Sequence, residues 1–260
     1  DRADRACRVT AWLSCHSDAE CGLGGRCKGP VLSDRFRAVL ETGSTNADLL
    51  ALADAGSPDG VWLRADRQTA GKGRMGRDWQ SPLGNFYGST LVGLRAGDPQ
   101  PATLTLVAAV ALHDALTFLA PDLPFQIKWP NDIMVDGAKL SGILLERSGN
   151  AVVIGIGVNL AFHPGGLDRK VTSLAALGAP VPDPAEFQLI LADRIDDWLA
   201  RWRSEGLIAL RAAWVARAHP KGTALTVNAP DGSAAQGLFD GLAEDGALML
   251  RLADGTIRAI

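Results

Sequence analysis

Three glycines alternate with three cations in Gln68-Thr69-Ala70-Gly71-Lys72-Gly73-Arg74-Met75-Gly76-Arg77-Asp78-Trp79, a pattern suited to holding an anion. Glycine lets backbone N–H groups close on a ligand, and Lys72, Arg74 and Arg77 bring positive charge to the same place. Phosphate is the first group such a loop suggests. Two phosphate loops share its glycine spacing, and the neighbouring residues exclude both. Gly71-x-Gly73-x-x-Gly76, with Asp98 following about twenty residues later, formally matches the dinucleotide fingerprint. That fingerprint opens an amphipathic helix, whereas Arg77-Asp78-Trp79-Gln80-Ser81-Pro82 runs into turn residues and then a strand-like segment. A P-loop needs Lys-Ser/Thr after its second glycine, where this chain carries Arg77-Asp78.

Other residues could complete a site. Lys128 ends the alternating run Phe125-Gln126-Ile127-Lys128-Trp129, before the turn signal Pro130-Asn131-Asp132. A lone strand lysine commonly guards a sheet edge; the alternative is a fixed ammonium in a site. Ser44-Thr45-Asn46 opens a helical segment closed by Gly56, so its hydroxyls serve as caps, as ligand contacts, or as both. Gly155, Gly157 and Asn159 alternate and share one strand face. Bare glycines there permit either close packing or a cavity floor.

The remaining elements must position these groups. Strands Val61 to Ala65 and Phe86 to Leu94 flank the glycine loop, both reading as half-buried. Ala102 to Leu119 is a long apolar helix stopped by Pro121 and Pro124 that backs a sheet, with His113 a packed or half-exposed residue rather than a ligand. Ile133 to Val135, the Asp136-Gly137 turn and Leu140 to Glu146 form a hairpin continued by Ala151 to Leu160, and consecutive hairpins predict antiparallel pairing. Helices follow over Asp183 to Arg203 and Gly206 to Ala218, with Trp198, Trp202 and Trp214 as core anchors. After Pro220, short strands separated by x-Asp-Gly turns predict a small β-barrel. The fold class is α+β, a mixed and largely antiparallel sheet backed by helices, with a small C-terminal barrel.

With 260 residues, 47% apolar content and net charge −3, the chain has material for one large domain and a small one, and lacks the basic surplus of a nucleic-acid binder. Its longest apolar stretch, Leu104 to Leu119, is interrupted by Thr105, His113, Asp114 and Thr117, which argues against a membrane span. No apolar signal segment opens the chain, so the expectation is cytoplasmic. Cys7, Cys15, Cys21 and Cys27 all fall in the first 27 residues, at spacings that match neither zinc pairs nor a complete disulfide scaffold. We read 1–31 as a poorly ordered extension, 32–219 as the site-bearing domain and 220–260 as the small barrel. No metal-binding residues are assigned.

Taken together, the glycine loop, Ser44-Thr45-Asn46, Lys128-Trp129-Pro130-Asn131-Asp132, Lys139-Leu140-Ser141-Gly142-Ile143-Leu144 and Gly155-Ile156-Gly157-Val158-Asn159 resemble, in order, the motifs of biotin protein ligases. Lys72 replaces that family's usual first arginine. The resemblance implies an ATP-dependent ligase of the short form, with a class II synthetase-like catalytic domain and an SH3-like C-terminal barrel. Such an enzyme forms biotinyl-5′-AMP and passes biotin to a lysine of a biotin carboxyl carrier domain, with Mg2+ on the nucleotide. It implies that Ser44, Thr45, Asn46, Gln68, Gly71, Lys72, Gly73, Arg74 and Lys128 contact biotin. Lys72, Arg74, Arg77, Lys128, Asn131 and Asn159 would contact ATP, with Lys128 and Arg74 catalytic and the glycine loop a lid over the adenylate. Neither nucleic acid nor membrane is an implied partner, and the chain would be a monomer or homodimer. A lipoate or octanoate ligase, and a non-catalytic biotin-binding protein, are the alternatives.

Overall fold

Both faces of the main sheet are covered, which explains why its central strands read as continuous apolar runs. The computed structural model describes residues 35–167, 169–228 and 234–260; the reading of residues 1–31 and their cysteines falls outside these. Strands β1 (Phe36–Thr42), β2 (Trp62–Gln68), β3 (Phe86–Gly93), β4 (Phe125–Lys128), β5 (Asp132–Val135), β6 (Ala138–Ser148) and β7 (Ala151–Val158) form one sheet in the order β1-β2-β3-β7-β6-β5-β4. All neighbours are antiparallel except β1 and β2, which run parallel through helix α1 (Thr45–Asp54). The order excludes a doubly wound dinucleotide fold, as the turn after the glycine loop predicted.

Helix α1 packs on one face of the sheet, and α2 (Leu104–Leu119) covers the other with α3 (Pro184–Glu205) and α4 (Leu207–Arg217) outside it. On β7, Val152, Ile154, Ile156 and Val158 join the large core under α2, whereas Val153 joins a smaller one with Leu49 of α1. Strand β3 is therefore buried from Phe86 to Val92 and not half-buried; two-sided cover removes the polar alternation that marks a half-exposed strand. β1 was not legible as a strand, because Ala38 to Glu41 on this sheet edge are exposed and leave no buried face to set a period.

Residues 101–119 are long and apolar enough, by length and composition, to cross a membrane, so the polar interruptions do not exclude a span as the sequence reading held. Most of α2 is instead buried in this core. At about 1.5–3 kcal/mol for each fully buried Leu or Val, that packing is where its apolar surface acts. His113, Asp114 and Thr117 have protein partners. His113 Nε2 lies 3.2 Å from the Phe125 carbonyl, and Asp114 accepts from Trp198 Nε1 and Arg217 Nε. Trp198, Trp202 and Trp214 are buried, as their helical spacing predicted.

Beyond α4, β8 (Ala224–Asn228), β9 (Ala234–Leu242), β10 (Leu248–Arg251) and β11 (Ile257–Ala259) form a small antiparallel sheet in the order β11-β10-β9-β8. Among the described residues β8 and β11 do not pair with each other, so the expected barrel is an open four-stranded sheet. Phe239, Leu248 and Leu250 belong to the same core as Trp214. The chain leading to this sheet also pairs with the main one, through a parallel bridge from Ala218 to Ile127 on edge strand β4.

Candidate active site

The glycine loop leaves β2 and turns back on itself. The Trp79 N–H donates to the Gly71 carbonyl at 2.9 Å, the Gly73 N–H to the Arg77 carbonyl at 2.7 Å, and Lys72 bridges Asp78. Between these legs, Arg74 to Gly76 form one tight turn, with Met75 and Gly76 at φ 59° and 69°. Gly71 has a different role from the expected ligand contact. It is buried at the loop's neck, outside the cleft lining, where a β-carbon would stand 2.6 Å from the Trp79 carbonyl oxygen. Its missing side chain lets the two legs cross.

One cleft gathers nearly all the other predicted residues. Ser44, Thr45, Asn46, Gln68, Lys72, Gly73, Arg74, Arg77, Lys128 and Asn131 line it. Ser44 takes the N-cap position of α1 but makes no side-chain cap bond. The Thr45 N–H instead donates to Gln68 Oε1 at 2.9 Å, and Gln68 Nε2 donates to Ser81 Oγ at 3.2 Å. Gln68 thus satisfies the first N–H of the helix in place of Ser44, and does so at the cleft wall. Arg74 reaches across the cleft toward Asn131 Oδ1 at 3.4 Å, while Asn131 Nδ2 donates to the Ile143 carbonyl. Asn159 does not line this cleft. It is buried beside a smaller adjoining cavity, donating to the Thr172 carbonyl at 2.9 Å.

Gly155 and Gly157 line the cleft, and each also gives room to a site residue. A β-carbon on Gly155 would overlap the Asn46 amide, and one on Gly157 would fall 2.5 Å from Trp79. The glycines form a floor on which Asn46 and Trp79 rest.

Sequence reasoning missed several lining residues. Lys139 is buried at the cleft wall, with Nζ 2.6 Å from Asp132 Oδ1 and 5.4 Å from the centre of a Trp79 ring. The contact with Asp132 is a close ion pair. Burial lowers the Lys139 pKa; Asp132 opposes that, and Arg169 and Arg77 add to it. Trp79 and Arg169 also line the cleft. Lys139 carried a signal, since it opens Lys139-Leu140-Ser141-Gly142; Arg169 lies in a loop with none. Six cations, Lys72, Arg74, Arg77, Lys128, Lys139 and Arg169, thus share a cleft with a neutral cluster of hydroxyls and amides. Such a cleft suits a ligand with a polar uncharged head and several anionic groups.

Residues 48–160 match the model of the biotin/lipoate A/B protein ligase family. A biotin–[acetyl-CoA-carboxylase] ligase of Paracoccus denitrificans is 41% identical over 225 residues, covering 82% of this chain and 92% of the relative. The chain belongs to the biotin–protein ligase family. A second ligase of that family, from Mycobacterium tuberculosis, is 36% identical, with 84% of each chain covered. Among solved structures, the biotin protein ligase of Aquifex aeolicus in complex with biotin and ATP superposes with a TM-score of 0.78 at 27% identity, over 88% of this chain and 96% of that one.

Proposed function

We infer that this chain is an ATP-dependent biotin–protein ligase that joins biotin to a lysine of a biotin carboxyl carrier domain. The observation that carries this reading is the convergence of cations from the glycine loop, β4 and β6 on one cleft with the Ser44, Thr45, Asn46 and Gln68 cluster. In the first half-reaction the biotin carboxylate attacks the α-phosphorus of ATP and pyrophosphate leaves. Two anions must meet, and fixed ammonium and guanidinium groups offset their repulsion as charge shifts in the transition state. Lys128 and Arg74 take that role, with Lys72 and Arg77 at the cleft mouth. Lys72 supplies charge there but lacks arginine's planar fork. In the second half-reaction the acceptor lysine amine attacks the acyl carbon, AMP leaves, and an amide forms.

Among the described residues no group of three His, Cys, Asp or Glu side chains is placed to hold a metal. Asp132, a cleft carboxylate, is already paired with Lys139. Magnesium would enter with the nucleotide substrate, on phosphate oxygens. The loop that carries Arg74 and Arg77 is exposed and closes over the adenylate, keeping water from a reactive anhydride.

Incorporation of labelled biotin into a purified carrier domain, with ATP and Mg2+, tests both half-reactions together. Transfer of lipoate or octanoate in place of biotin would overturn the reading in favour of the related acyl ligases, and biotin binding without transfer would reduce it to a binding protein.

A further inference from the structure

A chain of buried hydrogen bonds behind the neutral part of the cleft has only one consistent arrangement of protons. Asn46 Nδ2 donates to Glu146 Oε2 at 2.8 Å and to the Leu144 carbonyl at 3.3 Å. The Leu144 carbonyl has no proton to give, so the orientation of the Asn46 amide is determined. Asn46 Oδ1 then faces Ser89 Oγ at 2.6 Å and accepts that hydroxyl's only proton. Ser89 is left with lone pairs for Thr45 Oγ1, 2.7 Å away, so Thr45 is the donor in that contact. Thr45 Oγ1 also lies 3.2 Å from Gln68 Oε1, but one proton cannot serve both and the shorter contact takes it. Gln68 Oε1 already accepts from the Thr45 N–H. Toward the cleft, Thr45 Oγ1 and Asn46 Oδ1 have only lone pairs to offer. Ser89 is fully buried, and neither it nor Glu146 lines the cleft.

We propose that Ser89 and Glu146 are positioning residues that set the hydrogen-bond polarity of the head-group pocket through Asn46 and Thr45. The pocket then selects a ring that carries N–H donors, as a cyclic urea does, over one that carries none, such as a dithiolane. A site with fixed acceptors discriminates strongly against a ligand without donors, because its own buried groups are left unpaired. The proposal rests on the biotin reading for the name of the ligand, while the polarity follows from the proton count alone.

The test measures dissociation constants for biotin, lipoate and ATP by calorimetry on the full chain and on Ser89→Ala, Glu146→Gln and the double variant. Ser89→Ala removes the hydroxyl that holds Asn46 Oδ1 and takes the Thr45 proton, so that proton passes to Gln68 Oε1 and neither pocket acceptor is held in place. It should weaken biotin binding by about tenfold or more, leave ATP binding unchanged and shrink the preference for biotin over lipoate. Glu146→Gln lies on a partly exposed residue and keeps the side-chain shape, but it can turn its own N–H toward Asn46, and should weaken biotin binding by a smaller factor. Because both act through one chain of bonds, the double variant should be no weaker than Ser89→Ala alone. Additive losses, parallel losses of biotin and ATP binding, or unchanged biotin binding would each overturn the proposal. An unaltered chain that binds lipoate and not biotin would instead overturn the functional reading.

Discussion

The Trp79 indole lies on the backbone of Gly157, so that a β-carbon there would fall 2.5 Å from Trp79 Cε2 and 2.7 Å from Nε1. Gly142, the register partner of Gly157 on β6, leaves the same ring room at 3.1 Å. Two bare backbone positions on adjacent strands therefore seat the residue that ends the glycine loop.

Gly157→Ala must displace that ring, since an indole in a packed setting cannot move aside cheaply. We expect a stability loss of about 1–3 kcal/mol and a larger fall in kcat/KM for ATP, as Trp79 shifts the loop with it. Urea unfolding and pyrophosphate exchange measure the two. Unchanged exchange would show that the loop does not depend on this seat.

Lys128→Ala should lower biotin-dependent ATP–pyrophosphate exchange by about 100-fold or more, the scale for losing a charge aimed at the transition state. Arg74→Gly acts differently, because Arg74 belongs to the exposed loop and reaches across the cleft toward Asn131. Its loss should lower pyrophosphate exchange less than Lys128→Ala does and should also speed adenylate escape, seen as biotin label on proteins added without a carrier domain.

Lys139 gives a pH dependence with a definite sign. Its pKa is lowered by burial against the partial opposition of Asp132, so the charged form is lost at a pH below the ordinary lysine range. If its ammonium supports adenylation, the rate falls as pH rises through the lowered pKa. Stability moves the other way. The unfolded chain binds more protons between the lowered pKa and the ordinary value of about 10.4, so stability rises with pH across that window and is lost as pH falls through the folded pKa. Asp132→Asn removes the opposing charge and should shift the alkaline limb of the pH–rate profile to lower pH. A shift to higher pH would contradict the pairing.

Trp202 is fully buried and donates from Nε1 to Thr103 Oγ1 at 2.8 Å, tying α3 to the turn before α2. Trp202→Ala should cost about 3–5 kcal/mol, whereas Trp202→Phe loses mainly the hydrogen bond and a smaller volume. Chemical denaturation of both variants separates the two contributions.

The sequence alone determined what depends on neighbours along the chain. The hairpins from β5 to β7 follow from alternation and an Asp-Gly turn, the helices from apolar spacing, and the anion-binding character of the loop from glycines set among cations. The ordered motifs were sufficient to resemble one family. Tertiary structure decided what depends on groups far apart in the chain. It assigned Gly71 to the loop's neck and Asn159 to a neighbouring cavity, because those roles depend on which backbone comes close. It showed that Gly155 and Gly157, which the sequence left open between packing and a cavity floor, line the cleft and seat Asn46 and Trp79. It also joined Glu146 to Thr45 through Asn46 and Ser89, across 100 residues between Asn46 and Glu146. A hydroxyl's direction is set by the last acceptor in its hydrogen-bond chain, and only the folded molecule shows which residue that is.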